Sequence, residues 1–179
     1  MRVYRVCQDS RFSRLVPADW LGAAARFPGG PIGDDWKPFA VEFRLRRDEH
    51  FDLQWLLGAS ALLFRAAVCD QLAEVLRPEE IELLPFPTPY GEFMLGNVIN
   101  VVDCLDREKT VFRPNAKAIE YHVFRPEAVR GAFFKVPESR AGIFVPEYTA
   151  DPATEFRAAV QCYGLKGIRF DLLWESEAQ

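Results

Sequence analysis

The spacing of apolar positions changes several times along the chain, and each change marks an element. Residues 2–7, RVYRVC, are short and β-branched and predict an opening strand. FAVEFRLRR (39–47) alternates: Val41, Phe43 and Leu45 fall on one face, and Glu42, Arg44 and Arg46 on the other. That is the pattern of a half-buried strand. Between these segments lies FPGGPIGDDWKPF (27–39), whose three Gly and three Pro stop helix and sheet alike. It predicts a loop, with Trp36 as an anchor. From Ser60 to Leu76 the spacing turns helical through Leu63, Ala67, Leu72, Val75 and Leu76. Ser60 suits the N-cap of that helix and Pro78 stands beyond its end.

EIELLPF (80–86) predicts a strand limited by Pro85, and EFMLGNVINVVDCL (92–105) is apolar on both faces, as expected at the centre of a covered sheet. AIEYHVF (118–124), AFFKV (132–136) and GIFVP (142–146) predict further strands. Asp151 then caps a second helix with Pro152 at its first position. Phe156, Ala159, Val160 and Tyr163 form its buried face, and Gly164 suits a left-handed stop. GIRFDLLW (167–174) is the last strand. The expectation is a single α+β domain over residues 1–179: a mixed, mostly antiparallel sheet of about seven strands with two main helices. Any looser division falls between an N-terminal part (1–88) and a C-terminal part (89–179).

Composition narrows the function classes. A chain that is 49% hydrophobic and 27% charged, with 15 Phe, 4 Trp and 5 Tyr, has the volume for a proper core. Its net charge of −4 lacks the basic excess that releases counterions from nucleic acid. The four cysteines (Cys7, Cys69, Cys104, Cys162) stand far apart and there are only two His, so neither a metal centre nor a cofactor is expected. There is no apolar signal core and no stretch near the ~20 residues of a membrane span. A reducing cytoplasm is the expected setting.

Candidate chemistry concentrates in VVDCLDREKT (101–110). Asp103 and Asp106 lie three residues apart, and paired carboxylates can divide acid and base roles. Arg107 and Lys109 beside them would keep both ionised, which favours a salt-linked turn with Asp103 as its cap; a partner-binding surface is the other reading. His122 sits among strand residues, and His50 at an exposed strand end. GASA (58–61) lacks the nucleophile elbow, and GGPIG (29–33) lacks the Lys of a phosphate loop. Surface candidates remain: Asp34, Asp35 and Trp36 in the first loop, Asp106 and Arg107 in the second, and Glu147 with Tyr148 on a third. Interface hot spots favour Trp, Tyr and Arg, and acids steer a basic partner.

The order of parts also resembles a known family. VVDCLD (101–106), a β-rich middle, GIFVPEY (142–148), a capped helix and GLKGIRFDLLW (164–174) resemble bacterial polymorphic-toxin immunity protein family eleven, a former domain-of-unknown-function family. The resemblance covers residues 90–174, and the N-terminal half joins it only through DLQWLLGA (52–59). Cys104 and Lys166 stand where the family pattern has smaller residues. The resemblance implies stoichiometric binding of a cognate toxin encoded beside this protein, with no catalytic residues to transfer. A homodimer through an edge strand is compatible with it. The rival expectation is a small enzyme or ligand-binding domain whose pocket involves His122.

Overall fold

The computed structural model describes residues 1–19, 27, 29–44, 50–56, 60–113 and 118–176. Its strands run, in chain order, β1 (Arg2–Gln8), β2 (Arg14–Pro17), β3 (Val41–Arg44), β4 (Leu53–Leu56), β5 (Ala61–Arg65) and β6 (Ile81–Thr88). Then come β7 (Gly91–Val98), β8 (Val111–Phe112), β9 (Ile119–Tyr121), β10 (Phe134–Val136), β11 (Ser139–Glu147) and β12 (Ile168–Glu175). Two helices are described, α1 (Ala66–Cys69) and α2 (Phe156–Cys162). The class is α+β and the strand pairs are antiparallel, but the strands number twelve in four sheets rather than about seven in one.

Two four-stranded sheets carry the fold. One has the order β10-β11-β1-β12, the other β4-β5-β7-β6. They share an apolar cluster in which Tyr4, Val6, Ile143 and Val145 of the first meet Leu62, Phe64, Ile81 and Val98 of the second. Phe156, Ala159 and Val160 of α2 close one side of it. The far face of the second sheet (Leu63, Leu84, Phe86, Phe93, Leu95) is covered by Phe12, Leu15, Phe27, Val41 and Phe51. The far face of the first (Val3, Phe134, Val136, Phe144) is covered by Val102, Cys104, Leu105, Phe124 and Val129. Apolar layers thus lie on both faces of both sheets, which is why several strands show no polar face.

β7, predicted as central and covered, occupies that place, yet it ends at Val98 rather than at residue 105. Beyond it, Ile99 and Asn100 donate to the Glu80 carbonyl, and Val101 makes a single parallel bridge to Lys135. The chain has left the second sheet to cross over the first. β6 runs on through Pro85 and Pro87 to Thr88 because it is an edge strand; with β7 on one side only, a missing N–H costs nothing there.

The helix expected over 60–76 is corrected. Ala61 to Arg65 form β5, whose Ala61, Leu62, Leu63 and Phe64 are fully buried between β4 and β7. Burial on both faces removes the two-residue period and leaves apolar residues that also fit a helical template. Ser60 has a positive φ of 52° and turns the chain instead of capping a helix. Helix is confined to α1, and turns then carry Leu72, Val75 and Leu76 into the core. Residues 45–47 of the expected 39–47 strand lie outside the described residues; 41–44 form β3. The 118–124 strand shrinks to β9.

α2 begins at Phe156, and Asp151 caps the turn before it, accepting from the Ala153 N–H at 3.0 Å. Tyr163, expected in the core, is half exposed, whereas Gly164 adopts the expected left-handed stop at φ 64°. β2 and β4 were not expected. Gln54, fully buried in β4, explains how they meet: its amide accepts from Leu15 N–H at 2.8 Å and donates to Leu15 C=O at 2.5 Å. Its side chain thereby acts as one more backbone rung. Among the described residues no helix is long and apolar enough to cross a membrane.

Candidate functional site

The residues singled out from sequence fall in separate places. Asp34 and Asp35 are exposed on a single 3-10 turn, Gly33–Asp35. That turn is held from below by Glu82, whose carboxylate accepts from Ile32 N–H at 2.9 Å and Gly33 N–H at 2.7 Å. Burial alone would raise the Glu82 pKa, yet these N–H groups and the Asn97 amide hold it below the usual carboxylate range. Trp36 is an anchor: its indole donates to Pro85 C=O at 2.8 Å and its ring packs among Phe27, Phe39 and Phe86.

The 101–110 cluster is an ion-paired turn. Arg107 bridges Asp103 at 3.1 Å and Glu138 at 2.7 Å, and Arg125 reaches Asp103 at 3.5 Å. The capping role expected of Asp103 belongs to Asp106, which accepts from Glu108 N–H at 3.2 Å and Lys109 N–H at 3.3 Å. Burial works to raise the Asp106 pKa, but Lys109 and these N–H groups keep it low. Both carboxylates are therefore held in salt-linked, hydrogen-bonded positions.

Glu147, expected on an exposed turn, is buried at the end of β11. It accepts from the Tyr4 hydroxyl at 3.3 Å and from Arg157, which lies over the Tyr4 ring at 4.4 Å. Tyr148 is half exposed and its hydroxyl donates to Val129 C=O at 3.0 Å. Glu155 gathers the loop behind it, accepting from the N–H groups of Tyr148, Thr149 and Ala150. Glu147 and Glu155 are internal ties.

Two further features stand close together. The first is the β8–β9 ribbon, whose strands pair only with each other among the described residues. Val111 lies directly across from Tyr121, and they are 49% and 55% exposed, with Phe112 at 39%. Beside the ribbon runs a groove of about 830 Å³ between Tyr121 and Arg125 on one wall and Trp174 and Glu175 on the other. Asp106, Lys109 and Glu127 give it a charged rim. The second is a cleft of about 390 Å³ at the ribbon's base, bounded by Ile119, His122, Arg5, Trp55 and Phe144.

His122 is 93% buried in that cleft's wall, 7% of it remaining exposed, and it stacks on Phe124 with ring centres 5.8 Å apart. Burial, then the Arg5 guanidinium, push its pKa down from 6.5 to about 4, so the imidazole is neutral at physiological pH. Among the described residues no cluster of His, Cys, Asp and Glu has the arrangement of a metal site. Two of the four thiols are shielded: burial raises Cys104 to about 12 and Cys69 to about 11. Of the ribbon, β9 lies inside the strand expected over 118–124, whereas β8, two residues long, left no trace in the sequence. Compared with known proteins, the chain matches no family model and no curated protein.

Proposed function

We propose that this protein is an immunity-type inhibitor that binds a cognate toxin one to one, using the β8–β9 ribbon and the groove beside it. The observation that carries the reading is the exposure of Val111, Phe112 and Tyr121 on a ribbon that no sheet of the described residues completes. A lone two-stranded ribbon is marginal in water, and large exposed apolar side chains clustered on one are expected where a partner covers them. Tyr121 and Trp174 across one groove supply the aromatic anchors typical of interface centres. Asp106, Lys109 and Glu127 form a polar rim of the kind that sets orientation. The resemblance of residues 90–174 to the immunity family supports the same reading. Asp34 and Asp35 stay exposed and would act only through long-range steering of a basic partner.

The test is co-expression with the product of the neighbouring gene, with pull-down and growth as readouts. The expected result is one-to-one binding and rescued growth. Tyr121→Ala and Phe112→Ala should each weaken binding by on the order of 30-fold or more, as for interface hot spots, without lowering the unfolding temperature. Rescue that survives both substitutions would refute the ribbon as the docking face. The rival reading, a small ligand-binding or catalytic domain, draws on one observation of its own, the cleft at His122.

A further inference from the structure

We propose that the cleft at His122 is a binding site for a small organic carboxylate with an apolar body. Its volume of about 390 Å³ lies within the range of small-molecule sites. One polar group in its walls lacks a partner: the indole N–H of Trp55 is buried without a hydrogen bond. The His122 imidazole, of a residue 7% exposed, borders the same cleft. A buried donor left unsatisfied is costly, so such groups mark places where a ligand or solvent completes the bonding.

The charge is supplied by Arg5. Its guanidinium meets Asp171 only at 3.8 Å, beyond hydrogen-bond length. Asp171 is already engaged, accepting from the Cys7 thiol at 3.2 Å and pairing with Arg169. Arg5 therefore keeps donors for a planar anion, which the guanidinium fork fits in bidentate fashion. Among the described residues that line the cleft there is no carboxylate, and Asp171 reaches Arg5 from outside it. One cation beside a neutral imidazole balances a monoanion better than a phosphate. Ser139 adds a hydroxyl, and Val6, Ile119 and Phe144 leave the remaining wall apolar.

This inference does not depend on the inhibitor reading. It is tested on the intact chain alone, by following the four indole N–H resonances in a nitrogen–proton correlation spectrum. Trp55→Phe identifies the Trp55 signal. Phenylacetate and hexanoate are the probes, with phenylethanol and hexanol as uncharged counterparts. Millimolar phenylacetate or hexanoate should shift the Trp55 signal saturably, the stronger of the two showing whether the body is aromatic or aliphatic. Arg5→Gln, at a half-exposed position, should weaken binding about tenfold or more, as should removing the probe's charge. His122→Leu should weaken it as well. No saturable shift with either acid would overturn the proposal. So would binding indifferent to Arg5→Gln and His122→Leu, or inorganic phosphate binding as tightly as the acids.

Discussion

Two buried bases show how single residues set the pH behaviour of the fold. Lys135 in β10 is fully buried and its Nζ has no hydrogen-bond partner. Burial, then Arg140, lower its pKa from 10.5 to about 8. The unfolded chain then holds this proton more tightly than the folded one. Stability should rise as pH climbs from about 8 toward 10.5 and carry the full penalty below that window. The drop corresponds to on the order of 3 kcal/mol, so Lys135→Met should stabilise by about 1–3 kcal/mol in urea unfolding at neutral pH and flatten the alkaline rise. His122 has the same sign lower down. Its folded pKa of about 4 lies below the ordinary 6.5, so stability should fall as pH drops through that interval. His122→Gln should remove most of that acid-side loss; urea midpoints at either end of the interval measure it. The sequence placed His122 among strand residues, and its ring packs against Phe124 and Phe144 beside the cleft. Lys135 left no sign in the sequence, because KV at the end of a strand reads as a solvated lysine; in the fold its backbone pairs with the crossing segment at Asn100 and Val102 and its side chain is fully buried.

At the scale of elements, legibility followed the number of covered faces. Strands with one wet face, such as β3, kept their alternation and were read correctly where they are described. β5 lost it, because β4 and β7 flank it and apolar layers lie on both of its sides. The α2 stop was legible since Gly164 needs a left-handed conformation; Gly167 needs one too, at φ 113°, and more severely. A Cβ at Gly167 would stand 2.0 Å from the Leu53 carbonyl oxygen. Gly167→Ala should therefore destabilise by about 3 kcal/mol or more, or prevent folding, while Gly164→Ala, with open space around it, should cost only about 1 kcal/mol. The turn after residue 105 makes a second contrast. Asp106→Ala removes a cap and should lower the unfolding temperature, whereas Asp103→Ala removes only exposed ion pairs and should leave it nearly unchanged. The candidate site was legible only in part. The 118–124 strand and His122 were singled out, but β8 is too short to show a period, and the cleft is assembled from β1, β4, β9 and β11.

For the molecule as a whole, the pairing of β1 between β11 and β12 dominates. Arg2 lies opposite Glu147 on one side and Glu175 on the other, so the first strand waits for partners from the far end of the sequence. Such long-range pairing predicts slow folding, on the millisecond-to-second scale of all-β domains, and stopped-flow refolding would show it. The same arrangement has a mechanical meaning. Met1 and Ser176 are joined by hydrogen bonds, Met1 N to Ser176 Oγ at 2.8 Å and Ser176 N to Met1 O at 2.9 Å. β1 and β12 run antiparallel from that point, so a load applied across the two ends opens their ladder like a zipper. The rungs break in turn and never share the load as they would in shear. A cellular machine that threads this chain from one end while the other is held therefore meets its weakest direction first.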